Sequence, residues 1–406
     1  MALAIRNEDR WPSPFNAPGL ERLRTAFPIN VPPAVRVSDC TLRDGEQQAG
    51  LSFDRAAKVR VAQALESLGV YEIEAGTPAS SQEDADAIAE IVGLGLNAKI
   101  SMLVRSRRDD IDQARSLGVW GVRISFPISP LQRQHKLKGI DDEEYVRQVL
   151  EITDYAKSQG LYVIFSPFDT TRADLNFACR VVRELARTQT ADRIRVVDTT
   201  GCATPEGIMY LVGALKDSAP EMAFEIHVHN DFGLACINTV AGVLAGAEYV
   251  STTMNGIGER SGNAATEEVA MTLEALYGVE TGLRLERLTE VSQIVQRESG
   301  VRLQPHKAVV GENSFRHEAG MVVSGVVKEP YTAESYRPHV VGQRRQLVVG
   351  KKSGLAAIKA KLAELDLSAP EEKLPDLVQR VKEQAIRQGR ALTDDEFRAL
   401  VQAAAS

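Results

Sequence analysis

The sequence predicts a (β/α)8 barrel followed by a smaller, mixed and mainly helical C-terminal subdomain. Three observations predict it. Eight short runs rich in β-branched residues alternate with helical patterns over roughly 240 residues, as eight strand–helix units require. No G-x-G-x-x-G follows the first run, which weighs against the competing doubly wound open sheet. After about residue 277 the alternation stops.

Residues 1–34 are rich in Pro, Asn and Arg and read as an irregular arm. The strand runs follow in order: VRVSDCT (35–41), YEIEAG (71–76), AKISMLV (98–104) and GVRISFP (121–127). Then come LYVIFSPFD (161–169), RIRVVDTTG (193–201), FEIHVHND (224–231) and YVSTTMNGIG (249–258). Segments such as DRAAKVRVAQALESLG and DDEEYVRQVLEITDYAKSQG lie between them. Their apolar residues recur at helical spacing and a glycine closes them. The barrel is therefore assigned to 35–280 and the C-terminal subdomain to 281–406. In the latter, RLERLTEVSQIVQRESG reads as a helix, PHKAVVGENSFRHEAGMVVSGVV as glycine-punctuated and mixed, and the remainder as helical and charged.

Bulk properties exclude several classes. A formal charge of −7 on 406 residues gives no electrostatic reason to expect nucleic acid or an anionic membrane as partner. No apolar run approaches the ~20 residues that span a bilayer. The charged N-terminal stretch lacks the apolar core of an export signal. Four cysteines in no metal or disulfide pattern suit a reducing cytosol. The expectation is a cytoplasmic protein.

In this fold the active site collects at the C-terminal ends of the strands. Strand one delivers Arg43, Asp44, Glu46 and Gln47 there, and strand two Glu74. Strand six delivers Asp198 and Thr199, and strand seven His227 and His229. The run NGIGERSGN after strand eight supplies Asn255, Glu259, Arg260 and Asn263. Alternate strand residues share a face, so His227 and His229 point the same way. With Asp44 they make two imidazoles and a carboxylate, which leaves open positions for a substrate, the pattern of a catalytic metal site. The alternative is a hydrogen-bonded histidine pair in the barrel core. Arg43, beside the carboxylate, suits a carbonyl or a carboxylate.

At DCTLRDGEQQAG, EIHVHNDFG and NGIGERSGNAATEEV the sequence resembles the acyl-CoA Claisen-condensing barrels: homocitrate, 2-isopropylmalate and citramalate synthases, and 3-hydroxy-3-methylglutaryl-CoA lyase. GENSFRHEAGM and GKKSGLAAI resemble the subdomain that the synthases have and the lyases lack. The resemblance implies a divalent ion (Mn, Zn, Co or Mg) on Asp44, His227 and His229, with Asn263 nearby. It implies Arg43 at the keto oxygen, Thr199 at the carboxylate, and Glu74 beside them. The implied reaction condenses acetyl-CoA with a 2-oxo acid such as 2-oxoglutarate, oxaloacetate or a phosphono- or phosphinopyruvate analogue. The product is a 2-substituted malate plus CoA. A homodimer with shared sites is implied as well. A retro-Claisen lyase and a non-catalytic 2-oxo-acid-binding relative are the alternatives.

The sequence departs from the family pattern in two places. Where the synthases read F-x-H-x-A/S-G-x-H, FRHEAGMVV keeps His317 but carries Val322 at the second histidine. The expected tyrosine falls on Ala333, flanked by Tyr331 and Tyr336. His317 is then the first candidate for the general base, with His339, the tyrosines and Glu74 in reserve. On strand five, Ile164 and Phe168 stand where homocitrate synthases carry an arginine and a glutamate. Strand three lacks the histidine that homocitrate synthases have there and offers Arg105, Arg107 and Arg108, each read as a solvated charge, with an anion grip as the alternative.

Overall fold

The computed structural model describes residues 5–26 and 29–405. Those residues form two compact units. The first holds Ile5 and Pro12–Arg302; the second holds Arg6–Trp11 and the chain from Leu303 onward.

The first unit is a closed parallel barrel in the order β1 to β8. Its strands are β1 (Arg36–Asp39), β2 (Glu72–Glu74), β3 (Lys99–Arg105), β4 (Gly121–Pro127), β5 (Tyr162–Phe168), β6 (Arg193–Asp198), β7 (Ala223–Val228) and β8 (Tyr249–Thr252). All eight lie within or on the edge of the expected runs. Closure is by β1 on β8, with Val37 level with Val250, which removes the open-sheet alternative. The stretch before β1, expected to be irregular, contains the short helix α1 (Leu20–Ala26); residues 1–4 and 27–28 lie outside the described residues.

The helices between strands start and stop where their caps dictate. α2 (Arg55–Leu68) begins at Asp54, whose carboxylate accepts the Ala57 N–H at 2.7 Å, and ends at Gly69 in the left-handed region. α3 (Gln82–Gly93) is capped by Ser81, α5 (Pro130–Lys136) by Ser129 and α6 (Asp142–Ser158) by Asp141. α7 (Leu175–Thr188) is capped by Asp174 and α8 (Pro205–Ser218) by Thr204. α4 (Arg108–Leu117), α9 (Ala235–Leu244) and α10 (Thr266–Met271) complete the ring. The unit continues past residue 280 because α11 (Leu288–Ser299) packs on α2 and buries Leu288, Val291 and Val295.

The second unit has its own core, built from Val349, Ile358, Leu362, Leu377, Val381, Phe397 and Val401. It contains α12 (Gly320–Lys328), α13 (Leu355–Glu364), α14 (Leu374–Gln388) and α15 (Asp394–Ala405). A two-stranded parallel ladder pairs β9 (Arg316–His317) with β10 (Gln346–Leu347). Residues 6–11 join it through the Arg10–Tyr336 bridge and the Tyr331 hydroxyl, which donates to the Glu8 carbonyl at 2.6 Å.

Inside the barrel lies a layer of charge. Arg123 on β4 contacts Glu72 (3.1 Å), Glu74 (3.0 Å) and Glu225 (3.2 Å). Arg193 and Arg195 on β6 bind the same set: Arg193 pairs with Glu72 and with Glu225 at 3.2 Å, Arg195 with Glu225 at 2.6 Å and Glu74 at 3.2 Å. All six side chains are buried. Branched apolar residues usually fill such a barrel; here three guanidiniums and three carboxylates do so.

Arg123→Met leaves three buried carboxylates facing two guanidiniums. The expected loss is about 3–5 kcal/mol, read from the urea midpoint. The acid limb moves too. Burial alone pushes the Glu74 carboxyl up, but Arg123, Arg43 and Arg195 hold it well below the ordinary range. Its contribution is therefore present above the unfolded carboxyl value and lost as pH falls toward the depressed folded one. Weakening that hold in Arg123→Met shifts acid unfolding to higher pH. Unchanged urea and acid midpoints would show that the layer carries no stability.

Candidate functional site

The C-terminal ends of all eight strands face one rim. At the end of β1 the Cys40 carbonyl accepts the N–H groups of Arg43 (3.1 Å), Asp44 (2.9 Å) and Gly45 (3.0 Å). The chain curls over the strand end and presents Arg43 and Asp44 beside β8, hence near β7. His227 is on β7 and His229 lies just beyond it, where its N–H bonds the Asp198 carbonyl at 3.2 Å. The loop after β8 folds back to meet them, with Asn263 bridged to His229. Two glycines make that return possible. A Cβ on Gly258 would lie 2.1 Å from the Asn263 amide nitrogen, and one on Gly262 would lie 1.9 Å from the Gly256 carbonyl oxygen. Both have positive φ, which L side chains rarely adopt.

Asp44, His227 and His229 converge, as expected. The Nε2 atoms stand 3.8 and 3.9 Å from the same Asp44 oxygen, Oδ2, too far for hydrogen bonds. The imidazoles are perpendicular, with centroids 5.1 Å apart. All three side chains are buried. Burial holds both histidines below their usual pKa, so they are neutral, as metal ligands must be. Burial alone would raise the Asp44 carboxyl, but neighbouring Arg43 offsets this and it lies below its usual value. His227 Nδ1 is fixed by Ser251 Oγ at 2.9 Å, leaving Nε2 to face the cluster. Asn263 donates to Asp44 Oδ2 while its own amide oxygen is buried without a hydrogen-bond partner. A cation suits this donor set: a carboxylate, two neutral imidazoles and an unsatisfied carbonyl oxygen.

Arg43 donates to Glu74 at 2.7 Å and to Asp44 at 2.8 Å. Glu74 is therefore not at the rim with a free face. It is buried under Arg43, Arg123 and Arg195, does not line the cavity, and fixes the Arg43 guanidinium. Three other rim residues also serve the scaffold. Glu46 binds the buried ammonium of Lys58 at 2.6 Å. Asp198 accepts the backbone N–H groups of Cys202 and Ala203. Asn255 is tied to Ser292. Arg105 pairs with Asp110, Arg107 with Asp109 and Arg108 with Glu151; none of the three reaches the cavity.

That cavity has a volume of about 380 Å³ and is walled by Arg43, Asp44, Gln47, Thr199, His227, His229, Glu259 and Arg260. Arg260 spans the mouth by binding Asp231 at 2.8 Å and the Thr199 carbonyl at 2.6 Å. The sequence reading did not name Lys136, Ser125, Ser166 or Arg195, which line it too. Arg195 had a signal: RIRVVD places two arginines on alternate positions of a strand that a barrel buries. His317 lies in the second unit, where its Nε2 is 3.2 Å from Glu334.

The HMGL-like family matches residues 34–295, and the homocitrate synthase post-HMGL domain matches residues 309–389. The chain belongs to the homocitrate and 2-isopropylmalate synthase family. It is 40% identical to homocitrate synthase AksA of Methanocaldococcus jannaschii, over 91% of this chain and 90% of that one. It is 42% identical to a probable 2-isopropylmalate synthase of Ignicoccus hospitalis, over 92% and 93%. Among solved structures, an HMG-CoA lyase from Bacillus subtilis aligns with a TM-score of 0.60 at 19% identity, over 68% of this chain and 98% of that one. That likeness bears on the fold alone. The second family match contains both His317 and Val322, so the departure at Val322 falls inside a recognisable synthase domain.

Proposed function

We propose that the protein condenses acetyl-CoA with a 2-oxo acid to give a 2-substituted malate and CoA. The observation that carries this reading is the convergence of Asp44, His227 and His229 beside Arg43, in a chain about two-fifths identical to named synthases over nine-tenths of its length. The presence of the post-HMGL domain favours synthesis over the lyase reaction.

Asp44, His227 and His229 would hold a divalent ion, with the Asn263 amide beside them. Bound there, the ion supplies Lewis-acid polarisation of the keto group. Two imidazoles favour a transition ion over Mg. Arg43 has five N–H donors, of which Glu74 and Asp44 take three. The remaining two serve the keto oxygen as negative charge develops there. The Thr199 hydroxyl oxygen accepts the Asp169 N–H at 2.8 Å, which leaves its proton to donate to the substrate carboxylate. A base removes a methyl proton from acetyl-CoA. The resulting enolate carbon bonds to the keto carbon, whose oxygen becomes a hydroxyl, and water cleaves the thioester to release CoA.

For the base, His317 is favoured by elimination. Tyr331 commits its proton to the Glu8 carbonyl, and burial pushes the Tyr336 phenol up to about 12. His339 pairs with Asp9 at 3.3 Å and is well exposed. Val322 carries no proton. His317 combines a largely covered ring with a buried carboxylate partner, Glu334, itself fixed by two hydrogen bonds from Arg345, whereas the ring of His339 is exposed.

Three outcomes are expected. His229→Ala loses stoichiometric divalent ion by calorimetry, and acetyl-CoA-dependent thiol release falls ~100-fold or more, with circular dichroism unchanged. Full activity in the chelator-treated variant would remove the site. Next, His317→Gln slows solvent-deuterium exchange into the acetyl-CoA methyl by ~100-fold, within the usual range for a general base; exchange at the parent rate rules His317 out. Lastly, we infer a homodimer whose sites draw on both copies, as the synthase-like C-terminal domain suggests. A fully active monomer in sedimentation experiments contradicts it.

A further inference from the structure

The far wall of the cavity bears on which 2-oxo acid enters, and the inference rests on the condensation reading above. In the closed barrel, β4 and β5 stand across from β8 and β1. Asp44 and Arg43 follow β1, so an acceptor whose keto and carboxylate groups lie there extends its own chain toward β3, β4 and β5. That wall consists of Leu103, Ser125, Ser166, Phe168 and, from α5, Lys136.

Two features of this wall are chemical rather than structural. Ser125 and Ser166 sit level with each other on adjacent strands, and neither hydroxyl has a hydrogen-bond partner in the protein among the described residues. Lys136 differs from the other cations nearby. Arg133 is bound to Asp142, and Arg105, Arg107 and Arg108 at and beyond the end of β3 each hold a carboxylate. The Lys136 ammonium has no carboxylate within ion-pair distance among the described residues; it lies 4.6 Å from the centroid of the Phe168 ring. That ring orients the cation without neutralising it. An unneutralised ammonium and two free hydroxyls at one end of a small cavity match an anionic group with several acceptor oxygens.

The geometry points to an acceptor with a second acid group, a carboxylate or phosphonate, at the end of its chain, held by Lys136, Ser125 and Ser166. Lys136 is then the residue that selects diacids over branched apolar 2-oxo acids, which Leu103 and Phe168 alone would accept.

The test is kcat/KM for thiol release from acetyl-CoA with oxaloacetate, 2-oxoglutarate, 3-phosphonopyruvate, pyruvate and 2-oxoisovalerate. One of the diacids or the phosphonate should exceed 2-oxoisovalerate by tenfold or more. The ratio of that acceptor to 2-oxoisovalerate should fall at least tenfold in Lys136→Met, mainly through KM, and recover in Lys136→Arg. Ser166→Ala should lower it less. A branched or unsubstituted monoacid as best acceptor, or a ratio unmoved by Lys136→Met, overturns the inference and leaves the condensation reading standing. If no acceptor releases thiol, calorimetric binding of the same five acids decides. Diacid binding weakened by Lys136→Met keeps the grip and removes the condensation. Equal or absent binding removes both.

Discussion

The bond between Glu74 and Arg43 joins the inside of this barrel to its chemistry. In the proposed reaction Arg43 is the donor to the developing oxyanion, and its guanidinium is held by Glu74 from below. Glu74 in turn is held by Arg123 and Arg195. Burying one such charge alone would cost several kcal/mol, and a well-packed apolar layer of the same volume is often as stable or more so. What the charged layer adds is direction. Each carboxylate bridges at least two guanidiniums from different strands, so the strands cannot rotate or slide without breaking several contacts together. The position of Arg43 is thereby referred to β2, β4, β6 and β7 at once.

The two buried polar regions leave different kinds of atom unpaired: guanidinium N–H donors of Arg123 and Arg193 in the interior layer, and a ring nitrogen and a carbonyl oxygen at the rim. In the interior layer each carboxylate has cationic partners. At the rim, both histidine Nε2 atoms face Asp44 beyond hydrogen-bonding distance, and His229 Nδ1 and Asn263 Oδ1 have no hydrogen-bond partner. A buried polar atom left unpaired costs about 1–3 kcal/mol. The unpaired atoms of the interior layer are donors on arginines already facing carboxylates, whereas those at the rim are potential ligand atoms beside a carboxylate. Their unsatisfied state is consistent with a site that an ion and substrate complete.

Much of this was legible in the sequence, and what was not has a physical reason. Strand positions came from β-branched runs ending at glycine or polar residues, and all eight were placed although the charged residues of β2 and β6 interrupt the apolar run that a parallel strand buried on both faces usually shows. The H-x-H of β7 and the R-D of the first turn could be joined once closure put β1 two strands from β7. The burial of Glu74 was not legible because a carboxylate at a strand end looks the same in sequence whether it faces a cavity or three arginines. Only the through-space partners, 31, 49 and 121 residues away, decide it. Lys136 escaped for the complementary reason. On a seven-residue helix with three basic residues in its last turn it reads as solvated charge, and its lack of a carboxylate partner is a fact of tertiary structure.

The same reasoning applies to strand five, where the chain leaves the family pattern. Ile164 is buried and lies in register between Arg123 and Arg193. An arginine there would place three guanidiniums in one row against an unchanged set of three carboxylates, and like charges so close in a dry interior repel strongly. The interior layer, as built, thus disfavours the family's arginine at that position. A glutamate in place of Phe168 would set a carboxylate where Lys136 now meets an aromatic face, and would neutralise it. The two replacements act together: one leaves the charge below balanced, and the other leaves a cation free above. Anion recognition in this cavity is thereby displaced from a strand to the helix that follows β4, where it can change without disturbing the layer that holds Arg43.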